Sequence, residues 1–188
     1  LDQQFTAYVD QLVQSMAPDM DWERPEMDPA QRLNPAEVSA WLARHPNSYW
    51  GLSLHARQLM ADQQWEQAKK PLEQLIALYP DDAEEGNAYL LLAQVHRQLQ
   101  ETQAEYRTLQ ALAARSADAS DTYRRLMEIA GEQQDWKAVL DYGEKYLAVY
   151  PILGPVHADL GHAHEALDQA EPAVDAYRRL LHLDPENP

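Results

Sequence analysis

Proline recurs in this chain at an interval that settles the architecture before any other feature is read. Pro46 and Pro80 are separated by the same interval as Pro151 and Pro185, and Pro80 to Pro151 is twice that interval plus three. Self-similarity of that length, about 34 residues, is the mark of a helix-turn-helix unit that cannot bury its apolar face alone, so that neighbouring units must stack. Cutting after these prolines gives four units, 49–82, 86–119, 120–153 and 154–187, with Ala83-Glu84-Glu85 as a three-residue insertion. Each closing proline stops one helix and sets the turn into the next.

Within every unit the same places are apolar or small. The first offers Leu52, Ala56, Leu59, Ala68, Leu72 and Leu75, closed by Tyr79-Pro80. The second has Tyr89, Leu92, Ala93, Leu109 and Leu112, with Ala117 where a proline is expected and Glu105 on a core position. Tyr123, Leu126, Ala130, Trp136, Val139 and Tyr146 carry the third, and Leu160, Gly161, Ala173, Tyr177 and Leu180 the fourth. Small residues at Ala56, Ala93, Gly161, Ala68 and Ala173 let paired helix backbones approach closely. The fold class is therefore all-α.

The fourth unit, Leu160-Gly161-His162-Ala163-His164 followed by Ala173, Tyr177 and Asp184-Pro185, resembles the tetratricopeptide repeat, and the resemblance extends over 49–188. It implies a right-handed superhelical solenoid of helix hairpins whose inner surface is built from the first helix of each unit. Met127 at a small-residue place, histidines where the family prefers aromatics and the missing proline of the second unit depart from the family pattern.

Residues 1–48 form a different region. Leu1 to Met16 has apolar residues at a helical spacing and no basic n-region, so it reads as an amphipathic helix and not a signal peptide. With Leu1 at its start and a helix entry at its end, the chain reads as a piece of a longer protein. Asn34-Pro35-Ala36-Glu37 has a capping asparagine, proline at the first helical position and glutamate three residues after the cap, which predicts a helix to Arg44 covering the first unit. Between them, Pro18 to Pro29 is acidic and proline-rich: a linker, or an ordered arm draped on the array. Pro71 should bend its helix, whereas Pro172 falls in a first turn.

Chemistry is hard to place on this chain. It has no cysteine, which removes thiolate nucleophiles and thiolate metal sites. Its six glycines are scattered, without a phosphate-cradling motif. His164-Glu165-Ala166-Leu167-Asp168 lacks the second histidine of a zinc peptidase helix, and His157, His162 and His164 cannot share one ion on a helix. His157, His164, His55 and His96 occupy core positions and read as packed rings. In the arm, Arg24 and Ala30 stand where a calcium loop needs glycine and glutamate, so a solvated acidic linker is the expectation there. No catalytic residue, metal ligand or cofactor is assigned.

With 31 acidic and 15 basic residues the formal net charge is −16, so a role on nucleic acid or an anionic membrane is not expected. No apolar run reaches the roughly 20 residues of a membrane span. By resemblance, positions two, five, nine, twelve and thirteen of a unit line the inner surface. They include Trp50, Ser53, Arg57 and Met60, then Asn87, Leu90, Gln94 and Arg97, then Arg124 and Glu128, then His162. Arg57, Arg97 and Arg124 could form a guanidinium ladder for the carboxylates of a peptide, or pair internally with acids such as Glu128. The lysines and asparagines of chaperone-tail binders are absent from those positions. Trp50, Met60 and Leu90 supply apolar anchors.

The resulting expectation is a non-enzymatic protein- or peptide-binding scaffold using the concave face. Its partner would be a protein or peptide, one with acidic groups among those that fit, and not nucleic acid or membrane. The alternative is an accessory C-terminal repeat region of a larger enzyme, because the lead-in and loose repeats are similar to tails of bacterial proteins with an upstream metallopeptidase domain. Self-association through an uncapped last unit is a third reading. Localisation and oligomeric state are left unassigned.

Overall fold

The computed structural model describes residues 2–25, 34–117, 119–152 and 154–183. Glu26, Asp28, Pro29 and Ala30 of the arm and the terminal Asp184-Pro185 lie outside them. The chain divides into two compact units, Leu1–Thr108 and Leu109–Pro188.

The N-terminal unit holds α1 (Asp2–Met16), α2 (Pro35–Arg44), α3 (Tyr49–Ala61), α4 (Trp65–Leu78), α5 (Ala88–Gln98) and the start of α6 (Thr102–Ala113). In it α2 packs on α3, α3 on α4 and α4 on α5. The C-terminal unit takes the end of α6 and then α7 (Ser120–Glu132), α8 (Trp136–Val149), α9 (Gly154–Ala166) and α10 (Ala170–Leu183). Here α7 packs on α8, α8 on α9 and α9 on α10. Leu52, Ala56, Leu59, Ala68, Leu72 and Leu75 are all buried in the first hairpin, as are Tyr123, Leu126, Ala130, Val139 and Tyr146 in the third.

The turn inside every hairpin is the same. Gln63, Gln100, Gln134 and Asp168 have φ of 58, 59, 58 and 58°, and they are spaced by the sequence period with the insertion added once. Each follows a helix end closed by paired six-to-one and five-to-two bonds. Gln64 N–H donates to Leu59 O and Gln63 N–H to Met60 O, at 2.8 and 3.1 Å. The same pair recurs as Glu101 to His96 with Gln100 to Arg97, Asp135 to Ala130 with Gln134 to Gly131, and Gln169 to His164 with Asp168 to Glu165. A left-handed residue here is normally glycine, and this chain uses none.

A second repeated device ties the second, third and fourth hairpins to the loops before them. Tyr89 OH donates to Pro80 O at 2.8 Å, and Tyr123 OH, one period on, donates to Ser116 O at 3.0 Å. After one more period stands His157, which hydrogen-bonds the Pro151 backbone from a buried position. Histidine here is a packed substitute for tyrosine, in keeping with the core reading of its sequence. His96 is buried as well, and His55 and His164 are half-buried.

Asn34 caps α2 as a full capping box: its side chain accepts from Glu37 N–H at 3.0 Å and Glu37 Oε2 accepts from Asn34 N–H at 2.8 Å. Pro71 is buried inside α4, and Pro172 is in the first turn of α10. Over its described residues, 18–25, the arm is the ordered one of the two alternatives, draped on the first hairpin, and the expectation of a solvated linker does not hold there. Ala17 and Met20 are buried in the N-terminal core, and Trp22 packs on Tyr49 with ring centroids 5.2 Å apart. Asp21 N–H donates to Asn47 O and Tyr49 N–H to Asp21 O, at 3.0 and 2.9 Å, a short parallel bridge that lays the arm along the entry to α3. Asp19, Asp21, Glu23 and Arg24 give this stretch its polar look, while Ala17, Met20 and Trp22 hold it down.

Candidate protein-interaction surface

First helices carry the expected binding positions, and an α-helix places residues three and four apart on one face. On α3, Trp50 and Met60 are half-buried and Arg57 is exposed. On α5, Leu90 is half-buried, and Gln94 and Arg97 are exposed. These six side chains belong to the N-terminal unit. Arg124 and Glu128 on α7 and His162 on α9 are exposed in the C-terminal unit.

Asn87 departs from its expected place on this face. It is buried as the cap of α5, accepting from Leu90 N–H at 3.1 Å and donating to Glu84 O at 2.7 Å. Asparagine at the start of a helix is drawn to the free N–H groups of the first turn, and that local pull outweighs the repeat register.

Each arginine of the supposed ladder has an internal partner. Arg57 Nη2 donates to Gly86 O at 3.0 Å, and Gly86 itself has φ of +74°, where a side chain would be strained. The carbonyl is thus aimed by the inserted loop. Arg97 Nε donates to Glu105 Oε1 at 2.7 Å, and Glu105 is only 1% exposed. This explains a glutamate on a core position of α6: it is neutralised from α5 across the hairpin. Arg124 Nε lies 3.5 Å from Glu128 Oε1, while Arg125 Nη1 donates to Glu128 Oε2 at 3.0 Å.

Trp50 is also engaged, since the Arg24 guanidinium of the arm sits 4.0 Å above its ring. On α9, His162 makes an edge contact with Tyr177 at 5.9 Å and its Nδ1 is 3.7 Å from Glu165 Oε2. Tyr177 OH donates to that same Oε2 at 2.8 Å, and burial plus the bond to the carboxylate push its pKa up to about 12. Burial raises the Asp159 carboxyl, with His162 and Arg124 acting against the shift and Glu128 with it.

Two further groups were not legible from sequence. Glu101 accepts from Lys69 Nζ at 2.8 Å and pairs with His96 Nδ1 at 2.7 Å; these two bonds hold its carboxyl below the usual range, Lys69 contributing first. The second is Asp21, Glu23 and His45, the single group of three metal-donor side chains that converge among the described residues.

All of this defines an all-α protein of stacked helix hairpins. Its particular form is the tetratricopeptide-repeat fold: a tetratricopeptide repeat family model matches residues 51–82, the span of the first hairpin. Solved structures agree. "Crystal structure of MamA protein" aligns at 21% identity with a TM-score of 0.62, covering 80% of this chain and 82% of that one. A second, "Crystal structure of MamA", gives 20% and 0.63 over 80% and 86%. "MamA 41-end from Desulfovibrio magneticus RS-1" gives 17% and 0.55 over 70% and 73%. At these identities the likeness is one of fold. No curated protein matches by sequence. These matches concern the repeats and do not touch the idea of a metallopeptidase domain upstream.

Proposed function

We propose that the chain is a non-enzymatic scaffold whose first-helix faces bind a protein or peptide partner. Fold-level likeness supports the class, and the side chains of this sequence support the place. The carrying observation is on α3 and α5, where Met60 and Leu90 stay partly exposed among polar groups that are already fixed by internal bonds. A surface of that kind loses little side-chain freedom on binding, so less of the contact energy is spent on ordering. Arginine carries five N–H donors, and one internal bond leaves most of the fork able to meet a carboxylate, which favours a partner with acidic groups. On α7 and α9, Arg124, Glu128 and His162 offer a more mixed set of charges.

The test is affinity capture from the source extract by the immobilised chain, read by mass spectrometry. A Met60→Gln, Leu90→Gln, Gln94→Glu variant is expected to lose a partner that the parent and a Lys137→Glu control retain. Matched melting curves exclude unfolding as the cause. Equal capture by the triple variant removes α3 and α5 as the binding face. Charge reversal at Arg97 is a poor probe, because glutamate there would stand against buried Glu105.

A further inference from the structure

We propose that Asp21, Glu23 and His45 form a binding site for a first-row divalent cation, zinc before others, which fastens the arm to the end of α2. The three donor atoms come from two segments well separated in sequence and lie within 4.8 Å of one another. His45 Nδ1 is 2.7 Å from Asp21 Oδ2 and 3.9 Å from Glu23 Oε2. Around a tetrahedral ion with bonds of about 2.0–2.2 Å, neighbouring donors stand about 3.4 Å apart. The observed pair brackets that value, so relative to the imidazole Asp21 must open by about 0.7 Å and Glu23 must close by about 0.5 Å to admit the ion.

The donors are held in place from outside the cluster. The His45 ring lies flat on Trp41, with centroids 4.0 Å apart and planes at 8°. The Asp21 backbone is fixed on both sides, by Asn47 O and by Tyr49 N–H, and Asn47 Nδ2 donates to Asp19 O at 3.0 Å. Glu23 N–H donates to Asp21 Oδ1 at 2.9 Å, which leaves Oδ2 turned toward the imidazole. The nearest cations are drawn aside onto aromatic faces, Arg24 over Trp50 at 4.0 Å and Arg44 over Trp41 at 5.6 Å. A cleft of about 490 Å³ bordered by Glu23, Arg24, Glu37, Trp41 and Arg44 opens on the Glu23 side of the cluster.

Donor chemistry selects the ion. One imidazole nitrogen with two carboxylates suits zinc and its neighbours, while calcium needs six to eight oxygens that three side chains and water supply poorly. Three protein donors leave a coordination position for water, and with Glu23 66% exposed at its side chain that position faces solvent.

The experiment uses the full chain, stripped with chelator and dialysed against zinc chloride, with bound metal counted by mass spectrometry. Melting curves are recorded with and without zinc. One zinc per chain and a raised melting temperature are expected. His45→Gln should weaken zinc at least about 100-fold, since even outer-shell changes cost 10–100-fold. Glu23→Gln removes an exposed donor without touching the core, so it should weaken zinc while leaving the metal-free melt unchanged. His164→Gln should bind as the parent does. Failure of the parent to retain zinc overturns the proposal. So does parental affinity in both His45→Gln and Glu23→Gln, or loss of zinc on substituting His164.

Discussion

Replacing Gln100 by glycine should stabilise the protein, although it removes a side chain and adds none. Gln100 has φ of 59° and is exposed at the turn between α5 and α6. An L-residue in that conformation suffers about 1–2 kcal/mol of steric cost between Cβ and the following carbonyl. Glycine avoids the clash but loses more freedom on folding, about 0.5–1 kcal/mol. The difference is a gain of about 0.5–1 kcal/mol, or roughly 2 °C in melting temperature for a chain of this size. The Gln100 N–H to Arg97 O and Glu101 N–H to His96 O bonds use main-chain atoms alone and survive the change. Urea unfolding followed by circular dichroism measures the shift. Gln94→Gly, on the exposed face of α5, is the internal control and should lose about 1 kcal/mol. Since Gln63, Gln134 and Asp168 share the geometry, the four substitutions should approach additivity, about 2–4 kcal/mol together. A destabilised Gln100→Gly beside an equally destabilised control would refute the reasoning, because the turn would then tolerate glutamine at no cost.

Gly161→Ala should cost about 1–3 kcal/mol by overpacking, since an added Cβ would lie within contact distance of the Tyr177 ring, 2.6 Å from Cζ and 2.8 Å from Cδ1, and a flat ring on α10 cannot fold away; thermal melts read it, and an unchanged melt would show that α9 and α10 can separate freely. Arg97→Ala should cost about 2 kcal/mol by stripping Glu105 of a charge-assisted bond, and Glu105→Leu in that background should recover part of the loss; denaturant titration of the single and double variants decides. His157 should make stability fall on acidification. Burial first, and then Arg179, lowers its folded pKa below 6.5, so the unfolded chain takes up a proton first as pH drops past 6.5. Stability present above that pH is lost between it and the lower folded value, and His157→Tyr should flatten this part of the profile. A profile identical in the two proteins would place the pH response elsewhere.

The repeat itself is open to reading because proline and small residues punctuate it at fixed intervals. Even the insertion shows, as three residues beyond two periods between Pro80 and Pro151, and it reappears as the lengthened step between Gln63 and Gln100. The Asn34 box can be foreseen since both partners lie within four residues. What stays hidden depends on contacts between distant segments. Nothing near Asp21 announces His45, and Arg24 gives no sign of reaching Trp50. Glutamate at 105 looks like an error of register until Arg97 is seen opposite it. Glutamine in the left-handed turn is equally silent, because the sequence signal for that conformation is glycine.

The Arg97–Glu105 pair has a bearing on how such a chain can change over time. Tandem hairpins arise by duplication, and their helices look exchangeable, since most boundaries rest on interlocking alkyl groups that accept near substitutes. A crossover falling between α5 and α6 would part the buried acid from this base and remove a charge-assisted bond from the interior, so offspring inheriting one helix without the other would be less stable. That hairpin is therefore expected to pass between lineages whole, as a single heritable block. Gain or loss of its two charged members should occur together among descendants, while other positions drift one by one.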